Sequence, residues 1–161
     1  MLIMKDGMNF VLTNMLLTTT LLAILLSLFN RHKSPSWAYW LLKFTFLFPI
    51  GVQCLWAFTF HVFFSGLTAD AIIWEYSPFE YEVGLANLGL GLMGFYAYFY
   101  PSKGSWITTT LMSVCLIGGS GLGYIYQSFV GNILEYHHLI PIILIPIIMI
   151  ESLRRSYSTL K

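Results

Sequence analysis

From Asn9 to Phe29 the chain reads NFVLTNMLLTTTLLAILLSLF, without a single charged side chain. A helix rises about 1.5 Å per residue, so a run of this length matches the hydrocarbon thickness of a bilayer. Four more apolar segments follow: Trp37 to Phe64, Pro78 to Tyr100, Trp106 to Phe129 and His138 to Leu153. This repetition constrains the fold more than any motif does, because backbone amides placed in hydrocarbon must be paired within their own segment, and helices do that. We expect an all-α integral membrane bundle of five transmembrane helices, a single domain over residues 1–161. Composition agrees: 57% of the residues are hydrophobic and 9% are charged, against a charged share of about a quarter in soluble domains.

The first run is read as a retained helix. Its basic residues, Arg31 and Lys33, follow the apolar stretch, and no small-residue cleavage pattern closes it. In the second segment Pro49 and Gly51 predict a kink, since proline lacks an amide donor and crowds the preceding turn. The last segment is short and carries Pro141 and Pro146, which fits a thin span or a re-entrant piece. Charge favours the span. With five crossings, Arg31, Lys33, Lys103, Arg154, Arg155 and Lys161 share one side, with Lys43 near it, while Asp70, Glu75, Glu80, Glu82 and Glu135 fall near the other. The positive-inside rule then places the N-terminus outside and the C-terminus in the cytoplasm.

A net charge of +1 offers no general basic field, and neither CxxC nor an arginine-rich run is present, so nucleic acid is not an expected partner. The expected partners are the lipid bilayer and either a second copy of the chain or another membrane protein. Cys54 and Cys115 lie within apolar segments, where they read as small buried side chains rather than as a disulfide.

The chemistry gathers around WEYSPFEYEVGLANLGLG, Trp74 to Gly91. Ser77 is a candidate N-cap, Pro78 takes the favoured first position, and Glu80 stands at capping-box spacing from the serine. Capping therefore accounts for Glu80. Glu82 has no such explanation, so it leads the ligand- or partner-binding candidates, with His61, Asn87, Glu80 and Gln127 completing a polar site in the outer half. Gly84, Asn87, Gly91 and Gly94 recur at helical spacing and form a narrow face. Gly119 and Gly123, at GxxxG spacing, offer a facing surface, so close packing of the third helix on the fourth is expected through Gly84, Gly91, Gly119 and Gly123.

His61, Glu82, His137 and His138 supply the nitrogen and oxygen donors a divalent zinc or iron ion prefers, although no HExxH spacing accompanies them and a cofactor is not identified by the sequence. Trp74, Tyr76, Tyr81 and Tyr136 suit an interfacial aromatic belt. The functional expectation is a membrane protein that binds a protein, lipid or other small ligand through the outer-half site. One alternative is a small-solute or ion transporter with a polar lumen through Gln53, His61, Asn87, Tyr124 and Gln127. The other is a membrane-embedded enzyme, with or without a metal, in which Glu82 and His61 serve as acid and base.

Together with FPIGVQCLWAFTFHVFF upstream, this stretch resembles an uncharacterised family of small prokaryotic multi-pass membrane proteins carrying the pattern W-x-x-S-P-F-Q-x-E-V-x-x-A-N-L. The matching positions are Trp74, Ser77, Pro78, Phe79, Glu82, Val83, Ala86, Asn87 and Leu88; Glu80 stands where the pattern has glutamine. The resemblance implies a location in the prokaryotic cytoplasmic membrane and draws attention to Glu82 and Asn87. It implies no established activity.

Overall fold

A computed structural model describes residues 14–65, 77–130 and 136–159. All secondary structure among these residues is helical. Five helices follow one another: α1 (Met15–Phe29), α2 (Trp37–Phe63), α3 (Phe79–Phe99), α4 (Lys103–Ser113, continuing through Val114–Gly118 and Gly119–Phe129) and α5 (Tyr136–Ser156). A short 3₁₀ turn, Tyr157–Thr159, ends the described chain. Of these, Trp37–Phe63 and Lys103–Tyr126 are long and apolar enough to cross a membrane by length and composition.

Local chemistry sets the starts. Ser36 caps α2 by accepting from the Tyr39 N–H at 3.2 Å. At α4, Ser102 and Ser105 exchange two bonds, each hydroxyl accepting from the other's backbone N–H at 3.1 Å. This reciprocal cap carries α4 back to Lys103, ahead of the start expected at Trp106.

The kink expected at Pro49 takes the form of a π-helical turn, Phe46–Val52. Proline has no N–H to give and its ring crowds the carbonyl one turn back, and a wider turn relieves both. A second π-helical turn, Val114–Gly118, occurs in α4 without a proline. Pro141 and Pro146 do not shorten α5, which runs for 21 residues, longer than the segment expected from His138 to Leu153.

α2 occupies the middle of the bundle and packs against α1, α3 and α5. One apolar cluster joins Leu42, Phe46, Ile50 and Cys54 of α2 to Leu90 and Ala97 of α3, Trp106 and Ile117 of α4, and Ile142, Ile145 and Met149 of α5. The Trp106 ring is fully buried, and its indole N–H donates to the Ala97 carbonyl at 2.9 Å, which satisfies the one polar atom the ring brings inside.

The glycine face of α3 meets α2, which corrects the expectation that it packs on α4. A Cβ at Gly94 would lie 2.7 Å from the Phe46 carbonyl oxygen and 2.8 Å from the Gly51 nitrogen, and one at Gly91 would lie 3.2 Å from the Gly51 oxygen. Backbone stands against backbone there, and only glycine fits. On α4, a Cβ at Gly119 or Gly123 would meet nothing within 4 Å among the described residues, whereas one at Gly121 would press on Ile142 of α5 at 2.7 Å. Among the described residues, then, Gly121 lines the helix contact and the GxxxG pair does not.

Large apolar side chains stand on the surface as well as in the core, and several small hydroxyls are buried beside them. Leu21, Leu111, Leu122, Phe129 and Ile147 are all more than half exposed, while Thr20, Ser27, Thr45 and Ser113 are buried. Each of these hydroxyls is turned to a carbonyl of its own helix, as Thr20 is to Leu16 at 2.7 Å, Thr45 to Leu41 at 2.8 Å and Ser113 to Thr109 at 2.7 Å. Such bonds satisfy a buried hydroxyl without help from another helix.

Candidate functional site

Two ionisable side chains meet where the end of α2 lies beside the start of α3. The His61 Nδ1 and the Glu80 Oε2 are hydrogen-bonded, with side chains 18% and 10% exposed. Gly84, four residues beyond Glu80 and so one turn further along the same face, makes this meeting possible. A Cβ at Gly84 would stand 2.6 Å from Val62 Cγ2 and 3.3 Å from His61 Cβ, so its absence lets α3 come close enough for Glu80 to reach the imidazole. On α4, Tyr124 is near enough for the Glu80 charge to act on its hydroxyl. The pair itself is built from α2 and α3.

The capping role expected for Glu80 is corrected by this geometry. Ser77 accepts from the Phe79 N–H at 3.3 Å and its carbonyl accepts from the Glu80 N–H at 3.0 Å, but the Glu80 carboxylate is directed to His61 instead of back to the serine. A carboxylate buried in a helix seam is drawn to the strongest donor within reach, and the imidazole outcompetes a backbone amide that water can also serve. Glu82, two residues on and therefore about 200° around the helix, is exposed. Glu80, and not Glu82, is therefore the carboxylate that enters the seam.

Asn87 shares the face of Glu80 and Gly84, deeper along α3, and donates its amide to the Val83 carbonyl at 2.9 Å. The side chains of Gln127, His137 and His138 lie outside the described residues, as do Asp70, Trp74, Glu75, Tyr76 and Glu135. Among the described residues, no three His, Cys, Asp or Glu side chains come together as a metal site. His61 and Glu80 provide two donors, and exposed Glu82 is not brought to them.

An imidazole bonded through Nδ1 to a carboxylate keeps Nε2 available for a donor, an acceptor or a cation, according to its protonation. The pair is therefore suited to bind a polar group or to exchange a proton. The helical face on which Glu80 stands was readable from sequence, because Glu80, Gly84, Asn87, Gly91 and Gly94 follow one another at four- and three-residue steps.

No curated protein and no solved structure matched the chain. A family model described as a family of unknown function, DUF6790, matched residues 8–159. The match spans almost the whole sequence and takes in all five helices, and the chain belongs to this DUF6790 family.

Proposed function

We propose that the protein is an integral membrane protein of five spans, resident in a prokaryotic cytoplasmic membrane, that binds a ligand or partner through an outer-half site centred on His61 and Glu80. The observation that carries this reading is the enclosed imidazole–carboxylate pair in a seam where α3 packs on α2 through glycines. Packing alone does not call for it. Apolar side chains of similar volume hold two helices as well or better, since desolvating charge costs more than the attraction commonly returns. Ionisable groups at membrane depth therefore point to function.

Exposed leucine, isoleucine and phenylalanine on the flanks of the bundle support the membrane setting, because such a surface suits lipid better than water. Binding is favoured over conduction by interior hydroxyls such as those of Thr20, Thr45 and Ser113, which are occupied with carbonyls of their own helices. The test is copurification from native-like lipid, followed by mass spectrometry of associated small molecules and proteins. A specific companion should be lost from Glu80→Gln and His61→Gln and kept by Glu82→Gln. An unchanged set of companions in folded Glu80→Gln and His61→Gln would overturn the reading.

A further inference from the structure

At the opposite end of the α2–α3 seam a lysine sits among rings. Lys43 Nζ lies 5.1 Å from the ring centre of Tyr98 on α3, and 5.7 and 5.9 Å from those of Trp40 and Tyr39 on its own helix. Trp40 and Tyr39 are three and four residues closer to the start of α2, so the lysine stem bends back toward the helix end. That end carries the basic connections, with Arg31 and Lys33 before α2 and Lys103 after α3.

Lys43 is half-buried, and among the described residues no carboxylate and no hydrogen-bond acceptor meets its ammonium. Ring faces stabilise the charge but leave its three N–H donors without acceptors. The Lys43 backbone stands about 9 Å along a membrane helix, six residues past Trp37, and its ammonium, bent back toward the helix start, needs such acceptors. Below it the rings continue. Trp40 stacks on Phe44 at 6.0 Å and Phe44 on Phe48 at 6.4 Å, an apolar track leading away from the basic end.

We propose that Lys43, with Tyr39, Trp40 and Tyr98, binds the phosphate of an anionic phospholipid of the inner leaflet, one acyl chain lying along Phe44 and Phe48. The shared chemistry is a phosphate oxygen accepting from the ammonium, and the ring track favours a lipid over free phosphate. This inference rests on the membrane reading above. It does not depend on His61 and Glu80.

The test begins with alkaline extraction of membranes. Release of the protein without detergent would remove the membrane reading, and this proposal with it. Retained protein is then purified, partly delipidated and examined by native mass spectrometry against vesicles of phosphatidylglycerol or phosphatidylcholine. The wild type should keep phosphatidylglycerol in preference to phosphatidylcholine. Lys43→Met should hold about fivefold less of it, Lys43→Arg should restore it, and Lys33→Met, in the exposed loop, should leave it unchanged. Equal retention by Lys43→Met, with its fold verified by thermal melting, would overturn the proposal. Displacement of the bound lipid by millimolar inorganic phosphate would transfer the site to the free anion and equally end the lipid assignment.

Discussion

Taking away the His61 imidazole strands the Glu80 carboxyl group in the seam, and a buried acceptor without its donor costs about 1–3 kcal/mol. We therefore expect His61→Ala to destabilise the protein in lipid by about that amount, and Glu82→Gln, on the exposed turn, by no more than about 0.5 kcal/mol. Reversible unfolding of single and double variants measures both. Strict additivity of His61→Ala and Glu80→Ala would show that the two side chains do not interact. The sequence hid this pair behind a local explanation. Ser77-Pro78-Phe79-Glu80 satisfies the spacing of a capping box, and a motif that accounts for a residue removes the reason to look further. What sequence spacing cannot supply is which residue of α2 lies opposite Glu80, because that depends on the closeness Gly84 allows. The residue types of the locus were legible; the pairing was not.

Among the helices, the glycines separate into two kinds with opposite expected effects. Gly94→Ala drives a methyl into the backbone at Phe46 and Gly51, which cannot rotate away, and should cost about 1–3 kcal/mol. Gly119→Ala and Gly123→Ala meet nothing among the described residues and should be neutral or gain up to about 1 kcal/mol from the better helix former. Thermal unfolding of the three variants in one lipid decides it; a Gly119→Ala variant as damaged as Gly94→Ala would reveal a contact outside the described residues. Helix positions were read closely from the apolar runs, since each run is bounded by polar or capping residues. The faces were harder, because both long helices contain a π-helical turn that shifts the phase of everything beyond it. A trace of this is visible in the buried residues, which recur at a spacing of four: Leu42, Phe46, Ile50 and Cys54 in α2, then Thr109, Ser113, Ile117 and Gly121 in α4. A regular helix would carry such a stripe about 40° around per step, and the wider turns absorb part of that drift. Pro49 marked one of them. The other has no comparable residue to announce it.

For the molecule as a whole, the decisive test of the five-span proposal is how many helices cross the bilayer. α5 bears on it most, because its 21 residues give a helix of about 31 Å, the length of a span, yet it carries Glu151, Arg154 and Arg155 and is not among the two helices apolar enough to cross by composition. Its end carries Arg154 and Arg155, both bonded to Glu151, at 2.8 Å through Arg154 Nε and 2.6 Å through Arg155 Nε. If α5 spans, these residues lie on the same side as Lys33 and Lys103, and the positive-inside rule is obeyed by every described connection. If α5 turns back, they lie opposite. Single cysteines at Lys33, Gly104, Glu82 and Ser158, in a chain with Cys54 and Cys115 replaced by alanine, separate these arrangements. Gly104 is suitable because a side chain there meets nothing within 4 Å, and Glu82 and Ser158 because both are exposed. In sealed cells a membrane-impermeant maleimide should modify Glu82→Cys at once, and should modify Lys33→Cys, Gly104→Cys and Ser158→Cys only after permeabilisation. Labelling of Ser158→Cys from outside, with the other three as expected, would reduce the bundle to four spans and a re-entrant α5. Labelling of Lys33→Cys or Gly104→Cys from outside would invert the protein, moving the His61–Glu80 locus to the cytoplasmic half and the Lys43 rings to the outer leaflet.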